Sequence, residues 1–154
     1  MPVNRPRILV SACLLGVNCR YSGDGKRIAE AARLMERAEL IPVCPEILGG
    51  LPTPRPPAER VGDRVMNCEG ADVTAAFQRG AEETLRLAEL FGANVALLKE
   101  RSPSCGMGKI YDGSFQGKIV DGSGVTAQLL AAHGIYVYGE SRADELLNLL
   151  ENKP

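Results

Sequence analysis

The fold class predicted by this sequence is a three-layer, doubly wound α/β domain, Rossmann-like, with a parallel sheet in the strand order 2-1-3-4. Two patterns predict it. Four short apolar runs alternate with segments of helical periodicity, and the two longest connections both leave the carboxyl ends of predicted strands. Short apolar runs bounded by turn signals read as strands buried on both faces. Right-handed crossovers then put helices on both sides of a parallel sheet, and the simplest winding places the first strand between the second and the third.

The elements follow in order. Arg7–Ser11 is the first strand, and Ile28, Ala31, Ala32, Met35 and Ala38 form the apolar stripe of the first helix. Leu40–Val43 is the second strand. Val73, Phe77, Thr84, Leu87 and Phe91 lie along a longer helix that Gly92 stops. Val95–Leu98 is the third strand, residues 125–132 are the third helix, ended by Gly134, and Ile135–Tyr138 is the fourth strand. Ser141, with Asp144 three residues on, predicts a capping box that opens the last helix. The connections from Cys44 to Ala71 and from Lys99 to Asp121 far exceed the roughly 2 to 6 residues usual for such units. Their punctuation, as in Leu48-Gly49-Gly50-Leu51-Pro52 and Asp112-Gly113, predicts defined turns. Within the second connection, Ile110-Tyr111 and Lys118-Ile119-Val120 are expected to pair as a small hairpin.

Composition narrows the class. A chain of 154 residues that is 45% apolar suits one domain spanning residues 1–154. Eighteen basic against nineteen acidic side chains give a net charge of -1, which lacks the positive footprint of a protein that grips long nucleic acid. No apolar run approaches the roughly 18 residues of a membrane span, so no membrane partner and a soluble chain are expected. Arg5 and Arg7 before Ile8-Leu9-Val10-Ser11-Ala12-Cys13 imitate a lipoprotein cleavage site, but only Ile8 to Ala12 separate Arg7 from Cys13, and a secretory signal needs about 7 to 15 apolar residues there. Five cysteines, an odd number, disfavour a disulfide framework. They favour metal binding or catalysis in the reducing cytoplasm.

Three of the cysteines each follow a predicted strand: Cys13 after the first, Cys44 at the end of the second, Cys105 shortly after the third. With the order 2-1-3-4 these carboxyl ends face one crevice at the switch point of the sheet, where open α/β folds bind ligands. Any one cysteine is equally a small buried hydrophobe, but three at equivalent strand ends point to a metal centre. Spacing alone does not name the metal, because the compact Cys-x-x-Cys pairs of zinc ribbons and bacterial ferredoxins are absent. A structural zinc site wants four ligands, and the only histidine, His133, falls in the third helix, away from the crevice. Three thiolates suit a cubane iron–sulfur cluster with one iron left open as a Lewis acid, and thiolate-rich surroundings favour a soft ligand such as sulfur. Cys19 competes with Cys13 for the first-loop position but stands farther from the rigid strand end. Cys68 reads as a packed or exposed thiol, and Tyr21 as a stacking or structural tyrosine. Gly122 and Gly124, without a phosphate-loop pattern, mark no more than a helix start.

These residues also carry a family resemblance. Ser11-Ala12-Cys13-Leu14-Leu15-Gly16 followed by Cys19-Arg20-Tyr21-Ser22-Gly23 resembles the N-terminal signature of the bacterial thiouracil desulfidase family. Cys44-Pro45-Glu46-Ile47-Leu48-Gly49-Gly50-Leu51-Pro52-Thr53-Pro54-Arg55 and Lys99-Glu100-Arg101-Ser102-Pro103-Ser104-Cys105-Gly106 are similar to its other two signatures, as is Gly122-Ser123-Gly124-Val125-Thr126-Ala127. The resemblance covers nearly the whole chain. It implies an enzyme that removes sulfur from thiolated pyrimidines such as 2-thiouracil, a small-molecule partner, and releases the oxo base and sulfide. It further implies a [4Fe-4S] cluster held by Cys13, Cys44 and Cys105, with a transient [4Fe-5S] form, and Glu46 and Ser102 at the positions of the family's catalytic carboxylate and hydroxyl.

Those residue types suit the chemistry. Replacing C=S by C=O needs water to add at carbon while sulfur leaves, which Glu46 assists by relaying a proton and Ser102 by bonding the ring or shuttling a proton. Water supplies the oxygen and sulfur departs as sulfide, so no external electrons are needed. Two other functions remain open from the sequence: a non-catalytic module that senses redox state or stores sulfur on a sealed cluster, and a metal-free thiol enzyme with Cys105 as nucleophile, which lacks a credible base.

Overall fold

The computed structural model describes residues 5–152. The chain runs through β1 (Arg7–Ser11), a 3-10 turn (Ala12–Leu15), α1 (Ala31–Arg37), β2 (Glu39–Val43), the one-turn helix α2 (Pro45–Leu48), β3 (Ala58–Val61), β4 (Arg64–Asn67) and α3 (Thr74–Phe91). There follow β5 (Val95–Leu98), β6 (Lys109–Tyr111), β7 (Ile119–Asp121), α4 (Val125–Ala132), β8 (Tyr136–Gly139), a second 3-10 turn (Glu140–Arg142) and α5 (Ala143–Glu151).

β2, β1, β5 and β8 form one parallel sheet in that order, the order predicted for the four apolar runs. Side chains alternate across a strand, so Ile8 and Val10 join Leu34, Leu146 and Leu147 on the face covered by α1 and α5, while Leu9 packs with Leu85, Ala88 and Leu130 on the face covered by α3 and α4. Both faces are dry, which is why β1 reads as an unbroken apolar run. Pro42 is tolerated in β2 because that strand is an edge. No helix among the described residues is long and apolar enough to cross a membrane.

Three local expectations change. Helix α1 begins only at Ala31, so Ile28 does not set its phase; Ala31, Leu34 and the following Ala38 are buried, while Ala32 and Met35 face solvent. On α3 the buried line is Phe77, Ala81, Thr84, Leu85 and Ala88, which leaves Leu87 half-buried and Phe91 exposed beside the left-handed Gly92 that ends the helix. The capping box does not form. Ser141 lies in the second 3-10 turn, and its hydroxyl donates to Glu100 Oε2 instead of to a helix amide.

Both long connections are structured. The second holds the expected hairpin, with Ile110 opposite Val120. The first holds α2 and a hairpin of β3 and β4 that the apolar pattern does not announce. Helix α2 lies backbone to backbone on α3 through two glycines: a Cβ on Gly80 would overlap the Pro45 carbonyl, and one on Gly49 would overlap the Ala76 carbonyl. This contact fixes the chain on either side of Glu46.

Candidate active site

Cys13 sits in the turn that leaves β1, Cys44 stands between β2 and α2, and Cys105 lies in the turn after β5. The sheet order makes these three strand ends neighbours. All three cysteines line one pocket of about 630 Å³, together with Glu46 and Ser102. Cys19 also lines it and is buried, whereas Cys68 is exposed and outside. His133 is exposed and bonds the Leu129 carbonyl one turn back, so it is no partner for these thiols.

Each cysteine is held by its own turn. The Cys13 carbonyl accepts the N–H groups of Gly16, at a left-handed φ of 95°, and Lys26 at 3.0 and 2.8 Å. Ser102 Oγ accepts the N–H groups of Ser104 and Cys105 at 3.1 and 3.0 Å, so this hydroxyl shapes the loop that presents Cys105. With its oxygen occupied by two donors, the Ser102 hydrogen remains to be given. The carbonyls of Pro103 and Ser104 accept the first N–H groups of α4, from Val125 and Thr126, each at 2.9 Å, and the Ser104 and Thr126 hydroxyls meet at 2.8 Å. The Gly122–Val125 helix start therefore docks the Cys105 turn. A Cβ on Gly124 would collide with Ser104.

The sequence pattern assigns no role to Arg55, which lines the pocket and bonds four groups around it. This arginine is 8% exposed; it donates from Nε to Glu46 Oε1 at 3.0 Å, and its other nitrogens reach Thr53 Oγ1 and the carbonyls of Pro52 and Cys19. It ties the first loop to the second and fixes one oxygen of Glu46. The available signal was a lone arginine inside a proline-rich stretch, between Pro54 and Pro56. Also lining the pocket, Lys99 pairs with Glu140 at 3.2 Å, and the Lys99 N–H bonds Ser11 Oγ at 2.9 Å.

Burial sets the state of the thiols. Loss of water pushes the Cys13 thiol up to about 11, opposed by the charge of Lys99 and reinforced by Cys44. Burial pushes Cys105 up to about 12 against a hydrogen bond from Ser11, and Cys19 up to about 12 with Cys44 adding to the rise. None of these cysteines is in a disulfide. Thiolates in such surroundings need positive charge close at hand, which metal supplies. Among the described residues no three His, Cys, Asp or Glu side chains stand close enough to share a single metal ion. A cluster that binds each cysteine through a different iron spreads its ligands more widely than one ion does, and three thiolates are the donor type that iron–sulfur clusters take.

Comparison with known proteins agrees with this chemistry. The family described as 2-thiouracil desulfurase matches residues 8–142. The uncharacterized protein YbbK of Bacillus subtilis (strain 168) is 41% identical over 150 residues, which span 91% of this chain and 99% of that protein. A solved structure, the [4Fe-4S]-dependent thiouracil desulfidase TudS, superposes with a TM-score of 0.90 at 49% identity and covers 96% of this chain and 99% of its own.

Proposed function

The chain belongs to the 2-thiouracil desulfurase family, and from that premise we propose that it converts a thiolated pyrimidine such as 2-thiouracil to the oxo base with release of sulfide, at a [4Fe-4S] cluster held by Cys13, Cys44 and Cys105. The observation that carries this reading is that those three cysteines line one pocket together with Glu46 and Ser102. A small molecule is the fitting substrate, because the net charge of -1 offers long nucleic acid no grip. The reducing cytoplasm is the fitting compartment for thiols left unpaired.

When bound, the cluster supplies an iron that takes up negative charge on the departing sulfur. The remaining work falls to the chain. Thiouracil and water give uracil and hydrogen sulfide, so a proton must leave the attacking water and protons must reach sulfur. Glu46 is the acceptor for the water proton: Arg55 holds Oε1 in place, and Oε2 has no protein partner among the described residues. The Ser102 hydroxyl, already an acceptor for two backbone amides, donates its hydrogen to the ring and orients it. An open pocket of about 630 Å³ favours turnover over a sealed sensing or sulfur-storing cluster.

Iron content and sulfide release test the assignment together. Anaerobically reconstituted wild-type protein should release sulfide and uracil from 2-thiouracil. Cys13→Ala, Cys44→Ala and Cys105→Ala should each lose the iron, while Cys19→Ala and Cys68→Ala keep most of it. Full iron in Cys13→Ala would overturn the ligand set, and an iron-replete wild type that yields no sulfide would overturn the activity.

A further inference from the structure

The pocket wall contains a second arrangement that the cluster and the proton-handling residues do not require. Tyr21, Tyr111 and Phe115 line the pocket, in a chain with four tyrosines, three phenylalanines and no tryptophan. Phe115 is held at a φ of 60°, the left-handed region that a bulky L-residue rarely enters. Surroundings must over-determine such a conformation for it to persist. Here Glu59, on β3, does so. Its Oε1 accepts the N–H groups of Gly113 and Phe115 at 2.9 and 3.1 Å, from more than fifty residues earlier in the chain. Val61 of the same strand packs where a Cβ on Gly113 would stand, and Asp112 Oδ1 accepts the N–H and hydroxyl of Ser114, closing the turn.

A carboxylate only 9% exposed is thus committed to two amides of one surface turn. The backbone of Phe115 is fixed, yet its side chain stays 39% exposed at the pocket. A core phenylalanine would be covered; this one is presented. We propose that the Asp112–Gly117 turn, latched by Glu59, presents Phe115 as the wall on which the planar heterocycle of the substrate stacks. The proposal rests on the desulfidase reading for the identity of the heterocycle. Phe115 is a binding contact for the ring plane, because an aromatic face holds any flat π-system and leaves selection of the sulfur to the cysteine side of the pocket. Glu59 is a positioning residue that acts only through the turn.

The test has a kinetic and an optical arm. In iron-replete Phe115→Ala, KM for 2-thiouracil should rise about 5- to 150-fold, the span that base–aromatic stacking covers, with iron content and kcat nearly unchanged. Glu59→Ala should reproduce that KM, and the Phe115→Ala/Glu59→Ala double variant should be no worse than either alone. Glu59→Gln keeps the Oε1 acceptor and should retain the wild-type KM, which a merely electrostatic role for Glu59 would not allow. Phe115→Trp introduces the only indole of the chain, and its emission should be quenched saturably by uracil, the oxo product. This titration decides the matter even where Glu59→Ala does not fold. A wild-type KM in Phe115→Ala, or emission from Phe115→Trp that uracil leaves unmoved, overturns the proposal while the desulfidase reading stands. A wild type that releases no sulfide while uracil still quenches Phe115→Trp sinks the activity and supports the stacking wall.

Discussion

Arg55 contributes four hydrogen bonds from one buried guanidinium, and only the bond to Glu46 concerns the proposed chemistry directly. Removing the guanidinium frees the carboxylate to rotate and detaches the first loop from the second. Arg55→Met is therefore expected to lower kcat about 10- to 100-fold, since small misplacements of reacting groups carry penalties of that size. Glu46→Gln should lower it about 10²- to 10⁴-fold through loss of the acid–base group itself. Arg55→Lys should recover little, because one ammonium does not span Glu46, Thr53 and two carbonyls. Single-turnover sulfide release at matched iron content checks all three, and a wild-type rate in Glu46→Gln would remove the carboxylate from the mechanism. At this scale the sequence showed three cysteines at strand ends, and the family resemblance added Glu46 and Ser102; all five line the pocket. Glu59 stayed invisible because its partners Gly113 and Phe115 lie in another loop, and Arg55 because its bond to the Cys19 carbonyl crosses loops, although Glu46, Pro52 and Thr53 lie within nine residues of it. No local pattern reports a hydrogen bond of that range.

Among the elements, the contact of α2 with α3 offers a test whose sign runs against propensity. Alanine ordinarily stabilises a helix relative to glycine by about 0.5–1 kcal/mol. At Gly80 the added methyl meets the Pro45 carbonyl, so the two helices must separate. Gly80→Ala is thus expected to destabilise the cluster-free protein by roughly 1–3 kcal/mol, the usual cost of overpacking, and to weaken iron retention, because Pro45 joins Cys44 to Glu46. A thermal melt decides it; an unchanged or higher Tm would show that α2 shifts without strain. Element legibility follows the same logic of what is buried and by what. The four sheet strands and the β6–β7 hairpin were readable because their apolar runs are bounded by turn residues. The β3–β4 hairpin was not, since its inward residues are Val65 and the charged Glu59, which breaks the apolar alternation. Its turn, Gly62-Asp63 with Gly62 at a φ of 58°, is a two-residue hairpin signal present in the sequence.

Over the whole molecule, structure and chemistry are divided between two ends of one sheet. The apolar layers under α1 and α5 and under α3 and α4 are filled mainly by leucine, isoleucine, valine and alanine, with Cys13 and Cys19 joining the first and Cys105 the second. The sequence exposed this division early, because apolar runs and cysteines occupy consecutive stretches; the way two hairpins contribute to the pocket lining emerged only in three dimensions. A small metal-dependent domain that lacks such layers unfolds when its metal leaves. This chain buries Leu9, Leu34, Leu97, Leu98, Leu130 and Leu147 almost completely in layers built from apolar side chains. Loss of the cluster should therefore abolish activity without abolishing the fold. On the proposed ligand set one iron lacks a protein thiolate, and an open pocket gives oxygen access to it. Exposure of reconstituted protein to air is expected to bleach its visible absorption and stop sulfide release. Far-UV circular dichroism should persist with a single cooperative melt at lower temperature, because a group bound only by the native state raises stability while present. Loss of the dichroism in step with the colour would show that the cluster holds the sheet together and that the apolar layers do not suffice.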